Sequence, residues 1–164
     1  MNVITEIIEI LKEDTSSMLP RPATADDITQ CQKTLTNLGL EPLPQGFIEF
    51  LKICNGLAWN GIIFYSTDIV SEKDNLHSFK LMDLVTTNDD FNNRFELDEK
   101  VLLGIADDDY YTYNIETQKY EILEFTSRAL MEEFDTFEEL FYNTVGGRLG
   151  LLEPDTDGKY ESED

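Results

Sequence analysis

Fourteen consecutive residues, Leu43-Pro44-Gln45-Gly46-Phe47-Ile48-Glu49-Phe50-Leu51-Lys52-Ile53-Cys54-Asn55-Gly56, leave the chain few options. They read as a short buried helix with its own start and stop. Pro44 fits the first turn, where a missing N–H costs nothing. Phe47, Phe50, Leu51 and Cys54 fall at i, i+3, i+4 and i+7 with Ile48 beside them, so one face is apolar. Asn55-Gly56 offers the left-handed residue that ends a helix. Trp59 and then Gly61-Ile62-Ile63-Phe64-Tyr65 read as a strand entering a sheet. The stretch therefore predicts a joint between a helical half and a sheet half.

The flanking segments fill in both halves. Asn2 to Lys12 predicts a helix with Val3, Ile7, Ile10 and Leu11 on one face and Ile4 and Ile8 beside it. Asp14 to Pro22 is a linker. Thr24-Ala25-Asp26-Asp27 opens a second helix in the manner of a capping box, running to Leu38 with Ile28, Cys31, Leu35 and Leu38 inward. Beyond the central stretch, Asp68 to Ser78 reads as a polar loop with a helical turn, and Leu81 to Phe95 as a further helix. Val101 to Ile105 predicts a buried strand. Asp107-Asp108-Asp109 is an acidic turn, followed by a hairpin of Tyr110–Ile115 and Lys119–Phe125. Asp135-Thr136-Phe137-Glu138 caps a last helix with Phe137, Leu140, Phe141 and Val145 inward, stopped by Gly146-Gly147.

That order predicts an α+β fold, a mostly antiparallel sheet with helices packed on one face and the other face at least partly open to water. Residues 1–152 form a single domain in this reading, with an N-terminal helical extension, and 153–164 an acidic disordered tail. Ten Phe and seven Tyr in 164 residues suffice for a real core. No apolar run approaches the roughly 20 residues that span a bilayer, and the N-terminus lacks the basic and small-residue marks of a leader. The expected location is the cytoplasm. Cys31 and Cys54, both in apolar helical patterns, are expected as buried free thiols.

Charge bears most directly on function. Thirty-four acidic residues against twelve basic ones give −22. Such a surface repels nucleic acid and anionic lipid alike. It attracts a basic partner and speeds that encounter.

Catalytic signatures are lacking. His77 is the one histidine and has no Cys or Asp at ligand spacing. No phosphate-cradling glycine loop opens a helix, and no Gly-x-Ser-x-Gly elbow is present. The triplet Asp107-Asp108-Asp109 has three readings: a Mg²⁺ or Ca²⁺ site, a solvated hairpin turn, or a contact for a basic partner. Tyr110, Tyr111, Tyr113 and Tyr120 cluster on the predicted hairpin. Alternation sends Tyr111 and Tyr113 to one face and Tyr110 to the other, so one set packs the core and the other is expected exposed beside carboxylates. Tyrosine beside acid makes a docking surface for Lys and Arg.

The pieces resemble a known family. Leu43-Pro44, Phe47-Ile48-Glu49-Phe50-Leu51 and Asn55-Gly56 match the Leu-Pro-x-x-[Tyr/Phe]-x-x-[Phe/Leu]-[Leu/Tyr] helix and closing Asn-Gly of the SUKH superfamily, its Smi/Knr-like group. Leu103-Gly104-Ile105-Ala106-Asp107 resembles its Gly-x-x-x-[Asp/Gly] strand. Tyr110-Tyr111-Thr112-Tyr113-Asn114 resembles its Tyr-x-Tyr-[Asp/Asn] strand, and Phe134-Asp135-Thr136-Phe137-Glu138-Glu139-Leu140 its terminal helix. The match runs from Ile28 to Val145. It departs at Asp107-Asp108-Asp109, where the family often carries a glycine.

The resemblance implies a SUKH-like binding domain, not an enzyme, with no catalytic residues and no cofactor. Bacterial members are taken to be immunity proteins that bind and neutralise a toxin, often a nuclease; fungal members are signalling scaffolds. Joined to the charge, this predicts a cytoplasmic bacterial immunity protein for a basic toxin domain, with Asp107, Asp108, Asp109, Tyr110, Thr112 and Glu116 as contacts and Asp68 and Glu72 as further ones. The alternatives are an intracellular scaffold module and, remotely, a metal-dependent hydrolase on the triplet.

Overall fold

The computed structural model describes residues 2–73 and 78–152. Among these, the helices are α1 (Val3–Leu11), α2 (Ala25–Asn37), α3 (Gln45–Leu51), α4 (Leu84–Phe95) and α5 (Phe137–Phe141), the last continued by a π turn, Tyr142–Gly146. The strands are β1 (Leu57–Trp59), β2 (Ile62–Phe64), β3 (Val70–Lys73), β4 (Ser78–Leu81), β5 (Lys100–Ile105), β6 (Asp109–Asn114), β7 (Lys119–Glu124) and β8 (Leu130–Phe134). Six of them build one open antiparallel sheet in the order β1-β2-β5-β6-β7-β8, while β3 and β4 pair with each other. This is the expected α+β fold. No helix among the described residues is long and apolar enough to cross a membrane.

The first sheet face carries the core. Pro44, extended at ψ 151°, is the N-cap of α3 and directs Phe47, Phe50 and Leu51 inward. Phe50 lies 5.8 Å from Phe64 of β2, 5.2 Å from Phe137 and 5.5 Å from Phe141 of α5, between ring centroids. Tyr111 stacks on Phe64 at 5.3 Å. Two capping boxes hold the helices that flank this core. The Thr24 hydroxyl accepts from Asp27 N–H while Asp27 accepts from Thr24 N–H, and Thr136 and Glu139 do the same for α5.

Alternation along β6 puts Tyr110 on the second face, where it meets Phe91 and Phe95 of α4 at 5.1 and 6.1 Å. Asn88 fixes α4 there. Its side-chain amide donates to Leu102 C=O (2.8 Å) and accepts from Leu102 N–H (2.7 Å), replacing a strand partner past the last β2–β5 pair, Phe64 with Gly104. The second face is thus covered by α4 over part of its area.

Several expectations change. On α1 and α2, Ile10 and Leu38 are exposed, while Ile4 and Ile8 are buried beside Ile7 and Leu11. The single strand after Trp59 is a hairpin of β1 and β2. Asn60 and Gly61, with φ of 50° and 81°, form the left-handed turn that suits strand twist. The loop over Asp68–Ser78 contains β3 and the start of β4, and Leu81 ends β4 instead of opening α4, which Asp83 caps. β8 was not anticipated. Gly146 and Gly147 stay helical, and the turn comes at Gly150 with φ 80°. His77 and the predicted tail from Glu153 lie outside the described residues.

Candidate partner-binding surface

The turn between β5 and β6 is a tight hairpin. Ala106 and Asp109 exchange backbone hydrogen bonds of 2.9 and 3.4 Å, leaving Asp107 and Asp108 exposed at its tip. Asp109 is half-buried. Burial holds its carboxyl above the usual range, the Asp108 charge adds to this, and Arg148 opposes it. Arg148, past the π turn, donates to the Asn60 carbonyl. The Asp107 carboxylate oxygens and the Arg148 guanidinium both stand within 3.4 Å of where a side chain on Gly61 would begin. Two hairpin tips and the end of the C-terminal helical segment therefore converge at one end of the sheet.

The β7–β8 connection joins them. Phe125 N–H donates to Asp108 C=O at 2.9 Å. Beside it, Glu124 accepts from Ser127 Oγ (2.6 Å), Ser127 N–H (2.8 Å) and Thr126 N–H (3.1 Å). These bonds hold its carboxyl down at about 2. Asp107, Asp108, Asp109 and Glu124 make this end anionic, with the exposed Arg148 as a counter-charge.

The other anticipated contacts fall elsewhere. Tyr110 is 6% exposed and Thr112 is 0% exposed, so neither presents a surface, and the expectation that this side of the alternation faces water is corrected. The reason is α4, which packs on Tyr110, and Glu121, which accepts the Thr112 hydroxyl at 2.9 Å. Glu116 is exposed but sits at the opposite hairpin turn, roughly 20 Å along extended chain from Asp109. Asp68 is exposed beyond the far end of β2, where its carboxylate accepts from Ile69 N–H. Glu72 lies in β3, opposite Phe79 of β4. The structure brings together the three aspartates and none of the rest.

A cluster on the second face escaped sequence reasoning. Lys100 donates to Glu121 at 2.7 Å, the Thr112 hydroxyl donates to the same oxygen, and Asn114 approaches the other at 3.5 Å. The signal was available: these four residues share one strand parity across β5, β6 and β7. Cys31 and Cys54 are buried free thiols, both pushed up to about 12 by burial. Among the described residues, no three His, Cys, Asp or Glu side chains come together as a metal site.

A family model described as SMI1 / KNR4 family (SUKH-1) matches residues 22–143. The chain belongs to the SMI1 / KNR4 family. No curated protein matches it. The SUKH-1 match spans α2 through α5 and so contains the anionic turn, the buried Lys100–Glu121 cluster and β8. It leaves α1 outside. SMI1 / KNR4 membership supports a family-level role, often that of an immunity protein and generally without enzymatic activity.

Proposed function

We propose that this chain is an immunity-type protein that neutralises a basic toxin domain by binding it directly in the cytoplasm. The observation that carries the reading is the convergence of Asp107, Asp108, Asp109 and the fully ionised Glu124 at one end of the sheet in a chain of net charge −22. Family membership supports the binding role. A nuclease toxin presents Lys and Arg for phosphates, and a rigid array of carboxylates occupies the same groups. Opposite fields raise the association rate more than they deepen the complex.

The test begins with capture of partners by the tagged protein at low salt, eluted by a salt step and identified by mass spectrometry. A basic partner with a toxin-like C-terminal domain is the expected outcome. Ordinary cytosolic or envelope partners would shift the reading to the scaffold role known in the family. With the partner in hand, the Asp107→Lys/Asp108→Lys/Asp109→Lys variant should associate about 10- to 100-fold more slowly at low salt. An unchanged on-rate removes the turn from the interface.

A further inference from the structure

The two edges of the six-stranded sheet are finished differently. At β1, Met18 closes the edge by exchanging backbone hydrogen bonds with Ala58 at 2.8 and 3.0 Å. At β8, pairing to β7 occupies one side only, and among the described residues no backbone or side-chain group pairs with the other. An edge of this kind is a template for another strand. Its side chains do not hide it: Leu130 is 52% and Met131 59% exposed, Phe125 is exposed nearby, and Glu132 and Glu133 point to water. The extra residue at the bulge, where Ile122 pairs with Glu132 but Leu123 with Leu130, is Met131.

Charge selects the occupant. Glu132 and Glu133 are exposed on this strand, and Asp135, Glu138 and Glu139, also exposed, follow it directly in sequence. Of the nearby cations, Lys119 is engaged by Asp135, and Arg128 is drawn over the Phe95 ring at 4.1 Å. A second copy added edge to edge would line its own Glu132 and Glu133 against the first copy's, like charges on adjacent strands. Glu132 matches an extended segment whose side chains alternate Lys or Arg with apolar residues. Its cations would meet Glu132 on the face shared with Ile122, and its apolar side would meet Leu130 and Phe125 on the opposite face, while its backbone completes the ladder.

We infer that β8 is a docking edge that accepts an extended basic segment of a protein partner as a seventh strand of the sheet. This rests on the basic-partner reading above and names a different surface for it than the turn alone. The probe is a short synthetic peptide alternating Lys and Val, compared with its Glu-for-Lys version and with a basic version N-methylated on alternate backbone nitrogens. The N-methyl peptide keeps the charge and loses the donors of one edge. With the full chain, the basic peptide should bind, shift the amide resonances of residues 130–134 and slow their hydrogen exchange. The acidic peptide should not bind, and N-methylation should weaken binding at least about tenfold. The Glu132→Lys/Glu133→Lys variant should lose the peptide without losing its fold, since both side chains are exposed. Binding that ignores N-methylation, or shifts confined to Asp107–Asp109, would overturn the docking edge while leaving a basic partner in place. A concentration-dependent dimer with 130–134 protected would overturn it in favour of self-pairing. No binding of the basic peptide would also overturn it, and the partner reading would still be decided by its own capture experiment.

Discussion

On one face of the sheet Phe64 meets five aromatic rings, Phe47, Phe50, Tyr111, Phe137 and Phe141, at centroid distances between 5.3 and 6.4 Å. On the other face, the neighbouring residues of the same strands gather Lys100, Thr112 and Asn114 around the carboxylate of Glu121. Both places are buried, with 3% of the Glu121 side chain and 10% of Lys100 exposed. Burial of rings is non-directional, so each ring gains from whichever neighbour is present. Burial of a carboxylate is favourable only while its partners remain, because an unpaired charge at low dielectric is costly. One face is held by the sum of its contacts, and the other by their completeness.

The largest test of that contrast removes a ring. Phe64→Ala should cost about 3–5 kcal/mol of unfolding free energy in urea denaturation, with the fold retained as a weaker cooperative unit. A loss below about 1 kcal/mol would mean the neighbouring rings close the gap, and the first face would be more fluid than its packing indicates. The second face should answer differently to single and paired changes. Lys100→Met leaves Glu121 buried without its cation and should cost about 3 kcal/mol. Lys100→Met combined with Glu121→Leu should recover most of that loss, because no orphaned charge remains. If the double variant is no better than the single, the face is held by shape rather than by paired charge, and the contrast fails.

How much of this was legible depends on whether a feature is local. The capping boxes at Thr24 and Thr136, the α3 stripe of Phe47, Phe50 and Leu51, and the β6–β7 hairpin are written in short-range pattern, and the sequence shows them. β8 is not, because an edge strand of Leu-Met-Glu-Glu-Phe has no alternation to bury and its residues favour helix as readily. β3, Val-Ser-Glu-Lys, likewise lacks alternation, whereas β4, Ser-Phe-Lys-Leu, alternates over only four residues, too short a run to stand out from the polar stretch before it. The anionic turn was legible as three consecutive aspartates, and Glu124 stands opposite Asp109 in the β6–β7 hairpin that the sequence shows, but Arg148 was not legible, because it reaches the turn only through its hydrogen bond to Asn60, which is tertiary. Tyr110 was placed on the correct side of β6 by alternation. That this side is dry depends on α4 crossing it, anchored by Asn88 to Leu102, and no periodicity announces such a bond.

The finest test lies where the ring face reaches water. Asp109 and Glu124 are cross-strand partners on that face, one step beyond the buried Tyr111–Ile122 row and its neighbours, yet their surroundings act in opposite directions. Glu124 is pulled from its ordinary 4.5 to about 2 by hydrogen bonds from Ser127 and Thr126 to its ionised form. It therefore adds stability above about pH 4.5 that is lost as pH falls toward 2. Asp109 is raised above its ordinary 3.8, chiefly by burial and then by Asp108, so just above that pH the folded chain holds more protons than the unfolded one. Its contribution runs the other way, and stability falls as pH rises through that window. Glu124→Gln should flatten the acid loss of stability below pH 4.5, and Asp109→Asn should remove a decline just above pH 3.8, both read from urea midpoints at stepped pH. Slopes of the same sign in the two variants would show that the pair titrates as one unit across the strands. Opposite slopes would place the boundary of the dry face between two paired residues, with Glu124 held by the turn that follows it and Asp109 by the core behind it.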